Sequence, residues 1–401
     1  MKYEVFCRSA RNKGMSFIHQ VLDSVVGPLD QLEDTSLGIR LIIARTGAEP
    51  VSLALRNEEG AWRGFLWRDG EVSKPATGWG NHATVMGYFV HRLWKQESVY
   101  EGHIIKGGNH GFIRSHAFRA PEVDLAAGTI TYCVEPSEIP ADAYPYKVAM
   151  RLTYSVSGGK LTMTFAFENR EEHPVALSFG WHPGFAVGSL ESARMILPRG
   201  NYAREMAPGD FLDGSVMEIP FAGGEMPFAK KDLPGSFLLD LAGVPERCFI
   251  LEAPALGQRV ECDYSEVPFL TLWSNGDPFL CVEPCWGLPD GNPPVPFDQK
   301  KGIQRIGAGE TLTASLSVTP RFLEPRRHPD TLAESSADWY RPRLSLENTE
   351  RPLPAAEADM AQGNERHGAE ELSLRHSALP GTASDPSRFS GWPEDGAAGR
   401  R

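Results

Sequence analysis

The stretch "KVAMRLTYSVSGGKLTMTFAFEN", Lys147–Asn169, decides the fold class. Its first half places Val148, Met150, Leu152, Tyr154 and Val156 at alternate positions, and its second half does the same with Leu161, Met163, Phe165 and Phe167. Side chains of an extended chain alternate between faces, so each half reads as a strand with one buried face. Between them Gly158 and Gly159 supply the positive φ angles of a tight hairpin turn. The same alternation returns in "TITYCVE" with Ile130, Tyr132 and Val134, and in "TLTASLSVTP" with Leu312, Ala314, Leu316 and Val318. No long stretch carries helical periodicity. An all-β body of many antiparallel strands is expected, either a sandwich or a large closed β structure.

The 401 residues are 41% hydrophobic, enough for a sizeable core, and all-β folds of this size occur as one domain. A formal net charge of -12 argues against nucleic acid and anionic membrane surfaces as partners. No run approaches the ~18 apolar residues of a spanning helix, and "MKYEVFCRSARNKGMSFIHQ" has no apolar signal core. These features predict a soluble cytoplasmic protein. Cysteines stand at 7, 133, 248, 262, 281 and 285 without a C-x-x-C pair, so they read as reduced structural residues rather than a disulfide framework or zinc site.

The strand pattern starts near Ile39, which makes residues 1–20 a weaker extension and residues 21–325 the β domain. Residues 326–401 contain no Val and no Ile. A segment of that composition buries too little apolar surface to offset its ordering entropy, and it is expected to be a disordered tail.

Four segments concentrate chemistry: "MGYFVHRLWK" with Arg92, "GGNHGFIRSHAF" with His110 and Arg114, "ALSFGWHPGFAVG" with His182, and "LTLWSNGDPFLCVEPCWGLPDG" with Trp273 and Glu283. Each has a bland reading. Arg92 suits a surface ion pair, His110 a loop histidine, His182 a satisfied core histidine and Trp273 a core aromatic. Glu283 is different, because it interrupts the apolar run "FLCVEPCW" and an unpaired buried charge is very costly. Metal-ligand spacing of the H-x-H or H-x-x-x-H kind is absent near these residues, so no metal is expected. Neither a G-x-S-x-G elbow nor a phosphate loop occurs. Glycoside hydrolysis typically uses two carboxylates, and one stands out. A carboxylate opposite a histidine suits proton transfer without a covalent intermediate.

Six segments, in order, resemble the aldose 1-epimerase (galactose mutarotase-like) family, in particular its LacX-like branch. They are "GAEPVSLAL", "NHATVMGYFVHRL", "NHGFIRSHAF", "FGWHPGF", "FLCVEPCWGLPD" and "KKGIQRIGAGETLTASLSV". The resemblance implies a large antiparallel β-supersandwich with a sugar site in an open groove. It implies interconversion of the α and β anomers of a hexose, with no cofactor. Glu283 would take the proton of the C1 hydroxyl and His182 would protonate the ring oxygen, with Arg92, His110, Arg114 and Trp273 contacting the sugar. A carboxylate such as Glu283 near His182 would favour the imidazolium. Where many family members place an aspartate against the sugar, this chain reads "FAKKDLPGSFLLDL", and neither Asp232 nor Asp240 matches it. Two other functions stay open: a hexose-6-phosphate mutarotase, with Arg92, Arg114 and Arg119 as a cationic rim, and a non-catalytic carbohydrate-binding protein on the same fold.

Overall fold

The computed structural model describes residues 16–68, 70–74, 79, 82–226, 233 and 235–323. The segment read as a tail, 326–401, lies outside them, as do residues 1–15. Within the described residues the chain is all-β, and its helical segments are short 3-10 turns. The strands form sheets of nine, eight and five strands plus a two-stranded hairpin. Neighbouring strands pair antiparallel throughout, as in the ladders around the deciding hairpin and the site. No helix among the described residues is long and apolar enough to cross a membrane.

The deciding hairpin forms as its alternation requires. Strand Val148–Ser155 pairs with Leu161–Asn169 so that Met150 faces Phe167, Leu152 faces Phe165 and Tyr154 faces Met163. Gly158 and Gly159 turn the chain at φ 69 and 72. All of these apolar side chains are buried. They form one wall of the main core, which the eight-stranded sheet closes from the other side. Phe179 packs on Phe167 and Phe165 at ring separations of 4.8 and 5.1 Å, and Trp286 stacks on Phe179 at 4.8 Å. Period two then decides where function can sit. In the strand Val175–Ala186, Phe179 turns to this core, so Gly180, His182 and Gly184 belong to the opposite face. In the strand Phe279–Trp286, Trp286 turns to the core, so Cys281, Glu283 and Cys285 belong to that same opposite face.

The strands begin earlier than Ile39. Phe17–Leu22 and Leu29–Asp34 open the five-stranded sheet, and the first of them runs across residue 20. Alternation misses them because "LDQLED" carries its polar residues inside. All six positions of that strand are buried. Asp30 accepts hydrogen bonds from Arg45 Nε at 2.7 Å and Tyr132 Oη at 2.9 Å, and lies 3.0 Å from His19 Nε2. Burial alone would raise the Asp30 carboxyl, but the bonds from Arg45, His19 and Tyr132 outweigh it and hold its pKa at about 2. A buried charge with that many partners is satisfied, and no apolar pattern announces it.

Glycine at position 180 is dictated by packing rather than by backbone angle. A Cβ there would stand 2.5 Å from the Pro284 carbonyl oxygen and 2.9 Å from Met86 Cε. The carbonyl belongs to the paired strand and cannot swing away. Gly180→Ala is therefore expected to cost ~1–3 kcal/mol, the range for overpacking a filled interior. Thermal unfolding checks this, and an unchanged midpoint would show that the two strands separate without penalty.

Candidate active site

Two adjacent strands bring His182 and Glu283 together. Gly180 pairs with Cys285 and Gly184 with Cys281, which sets His182 opposite Glu283 in the register between them. On the outer sides of the pair, Thr84 is the partner of His182 and Thr271 the partner of Glu283. His182 Nε2 stands 3.4 Å from Glu283 Oε1. The Glu283 side chain is 1% exposed and that of His182 12% exposed, so the histidine forms the open edge of the pair. The second oxygen of Glu283 and Nδ1 of His182 are buried and have no hydrogen-bond partner.

Around the pair stands an aromatic wall. Trp273 lies 5.8 Å from the His182 ring and Trp79 5.5 Å from it. Trp79 stacks on Phe279 at 4.5 Å with the planes 14° apart. A Cβ at Gly184 would run into the Trp79 ring, so that glycine makes room for the wall. Trp79 sits in "GWGNH" without an alternation or motif to single it out, and sequence reasoning missed it.

His110 approaches edge-on, its ring 5.2 Å from that of His182. Its backbone N–H donates to the His91 carbonyl at 2.8 Å, and its Nδ1 accepts the His91 backbone N–H at 3.2 Å. An Nδ1 that accepts carries no proton, so the neutral ring holds its proton on Nε2. Both residues have positive φ, 56 at His91 and 69 at His110, and the tight pairing of the two loops depends on it. Gly111 follows with φ 74, where any Cβ would strike the Gly87 carbonyl. His91 itself is buried, with Nε2 3.5 Å from Thr271 Oγ1. It too went unseen in the sequence, although it adjoins Arg92.

Arg92 follows its bland reading in part. Its guanidinium pairs with Asp210 at 3.1 Å and is 47% exposed. Its backbone is tied to the Glu283 segment, because Asp290 N–H donates to Arg92 O at 2.9 Å and Trp94 N–H donates to Asp290 Oδ2 at 3.1 Å. The "EPCWGLPD" sequence thus links the carboxylate strand physically to the arginine loop. Arg114 Nη1 reaches Asn109 O at 3.4 Å, and its charge is felt at both His110 and His182. Arg119 is elsewhere, 82% exposed and paired with Glu138 at 3.0 Å. Arg92 and Arg114 both act electrostatically on His110. Of the two aspartates weighed for the sugar, Asp232 lies outside the described residues, and Asp240 accepts the Ala242 N–H at 2.8 Å.

Burial governs the protonation states. It lowers His182 to about 4, with Arg114 acting in the same direction and Glu49 against it. It lowers His91 to about 3 and His110 well below the usual histidine range, and the neighbouring histidines add to both shifts. Burial raises the Glu283 carboxyl well above its ordinary value. The expectation that Glu283 keeps His182 charged is therefore corrected. Burial disfavours the charged form of each partner, the imidazolium of His182 and the carboxylate of Glu283.

The large antiparallel β architecture is shared with solved galactose mutarotase-like structures. Residues 37–202 match the model of the aldose 1-epimerase family. The match contains Arg92, His110, Arg114 and His182; Glu283 and Trp273 lie beyond it and are joined to it by strand pairing. No curated protein matches the chain. Among solved structures, a galactose mutarotase related enzyme from Lactobacillus acidophilus is 22% identical at a TM-score of 0.62, covering 76% of this chain and 97% of that one. A galactose mutarotase-like protein from Lactobacillus casei is 22% identical at a TM-score of 0.63, covering 73% and 100%. A galactose 1-epimerase from Lactobacillus acidophilus is 12% identical at a TM-score of 0.56, covering 81% and 98%. At these identities the likeness is one of fold, and it does not single out a branch of the family.

Proposed function

We propose that the protein is an isomerase, a mutarotase that interconverts the α and β anomers of a free hexose. The observation that carries the reading is the pair itself. A buried carboxyl and a partly open imidazole stand 3.4 Å apart on adjacent strands, beside aromatic rings suited to a sugar face. Glu283 takes the proton of the C1 hydroxyl while His182 delivers one to the ring oxygen. The ring opens to the aldehyde, the C1–C2 bond rotates, and the steps reverse. The pair needs one proton in total. Without sugar, burial disfavours both charges; with the C1 hydroxyl donating to Glu283, the carboxylate–imidazolium form becomes the reactive one. His110, with its proton on Nε2, donates to a sugar oxygen, and Arg92, Arg114 and Trp273 complete the contacts.

A neutral hexose is favoured over a hexose 6-phosphate, because Arg92 is already paired with Asp210 and Arg119 with Glu138. Free thiols at the five described cysteines suit the cytoplasm. Anomer exchange spectroscopy with glucose, galactose and glucose 6-phosphate tests the reading. Acceleration of a free hexose supports it, acceleration of the phosphate alone corrects the substrate, and binding without exchange leaves a carbohydrate-binding protein.

The pH dependence follows from the proton count. A pair that works with one proton fails when it holds two or none. On the acid side kcat/KM is expected to fall as His182 takes a second proton near pH 4. On the alkaline side it is expected to fall as the pair loses its proton, at the raised value of Glu283. A bell whose acid limb lies below the ordinary histidine range is the expected profile. A profile already rising through an ordinary histidine value near 6.5 would overturn the assignment.

A further inference from the structure

Cys281 has no place in the proton transfers, yet it shares their face of the sheet. It stands two residues before Glu283 on one strand, and side chains two apart in a strand point the same way. Its Sγ and ligand atoms of His182 and Glu283 all lie within 4.8 Å of one another. Spacing along the sequence conceals this, because His182 arrives from the neighbouring strand. The three atom types are an imidazole nitrogen, a thiol sulfur and a carboxyl oxygen, which is the donor set of zinc. A second observation points into the same place: Glu283 Oε2 is buried without any hydrogen-bond partner.

From this geometry we infer that His182, Cys281 and Glu283 form a three-ligand site for Zn²⁺ or a similarly soft divalent ion, and that the ion inhibits the enzyme. Bonds of ~2.0–2.3 Å set tetrahedral edges of about 3.3–3.8 Å. His182 and Glu283 already stand at 3.4 Å, so the thiol side closes by rotamer adjustment. Three protein ligands leave the fourth position open toward the edge that His182 forms. An ion there holds both the base and the acid, so proton transfer stops and the sugar competes with the metal. Binding needs the thiolate and the carboxylate, so it displaces the protons of both Cys281 and Glu283.

The kinetic arm of this inference rests on the mutarotase reading; the spectroscopic arm does not. In anomer exchange, Zn²⁺ is expected to inhibit the full-length reduced protein. Cys281→Ser is expected to need at least ~10-fold more Zn²⁺, since lost metal contacts weaken affinity by that order or more, with uninhibited turnover unchanged. Cys281→Ala with its melting curve guards against a folding defect. In the second arm Cd²⁺ alone is added to protein whose Cys7, Cys133 and Cys248 are replaced by serine. A thiolate-to-cadmium charge-transfer band is expected, and it disappears when Cys281 is also replaced. Equal Zn²⁺ inhibition of wild type and both Cys281 variants overturns the site, as does a band that survives the loss of Cys281. A protein without mutarotase activity that still shows the Cys281-dependent band keeps the metal site and sinks the mutarotase reading.

Discussion

Glu283→Gln is expected to lower the turnover of mutarotation by at least ~100-fold and, in the same protein, to raise its melting temperature. The first effect is the low end of what a positioned acid–base group contributes, ~2.7 kcal/mol in the barrier. The amide keeps the shape and accepts a hydrogen bond from the sugar, so affinity changes much less than turnover. The second effect follows from linkage. The carboxyl is raised in the folded protein by burial. A raised carboxyl favours folding only below its unfolded value, near 4.5. Between that value and the raised one, the unfolded chain releases a proton that the native chain retains, and stability is lost as pH rises. At pH 7 Glu283 therefore destabilises the fold, and a neutral amide removes the cost. Its new N–H₂ also finds the His182 nitrogen within reach, where Oε1 now stands at 3.4 Å. Activity and melting curves on one preparation check both halves. Near-wild-type turnover would remove Glu283 as the base, and a lowered midpoint would show that its carboxyl is satisfied by groups not yet identified.

Much of this site was legible in the sequence, for a physical reason. A carboxylate inside "FLCVEPCW" violates the burial rule, and a violation has to be explained by pairing or by function. The hairpin at Gly158–Gly159 was legible because alternation and turn chemistry are both local. What alternation cannot convey is which strands become neighbours. It gave no sign that Gly184 pairs with Cys281, and hence none that His182 meets both Glu283 and Cys281. Asp210 and Arg92 find each other through loops from distant parts of the chain. His91 and Trp79 sit where neither period nor motif operates. The opening strands escaped because their inward residues are charged, and Asp30 is satisfied by Arg45, Tyr132 and His19, each from a different strand or turn. The direction of the His182 shift escaped for a related reason. A carboxylate neighbour suggests attraction, whereas the depth at which both groups sit, a tertiary property, lets desolvation prevail.

His182→Asn separates a proton donor from a core histidine that happens to face a carboxylate. If His182 is the acid, it delivers a proton to the ring oxygen, which an amide of similar size cannot do. Turnover per folded molecule is expected to fall by ~100-fold or more, while the protein remains folded at pH 7. The acid limb of stability supplies an independent readout. In the wild type His182 titrates at about 4 when folded and near 6.5 in the unfolded chain. A depressed histidine contributes stability above its unfolded value and loses it as pH falls toward its folded value. Over that window each pH unit costs about 1.4 kcal/mol once the unfolded imidazole is charged. The asparagine side chain takes up no such proton, so the variant is expected to lose less stability than wild type as pH falls from about 6.5 to about 4. His91 and His110, depressed in the same sense, keep part of the slope in both proteins. A histidine that merely packs predicts another pattern. The variant would melt lower at pH 7 through a mispacked site, and its folded fraction would turn sugar over at the normal rate. Activity per folded molecule at pH 7, with melting curves at both ends of the window, decides between them.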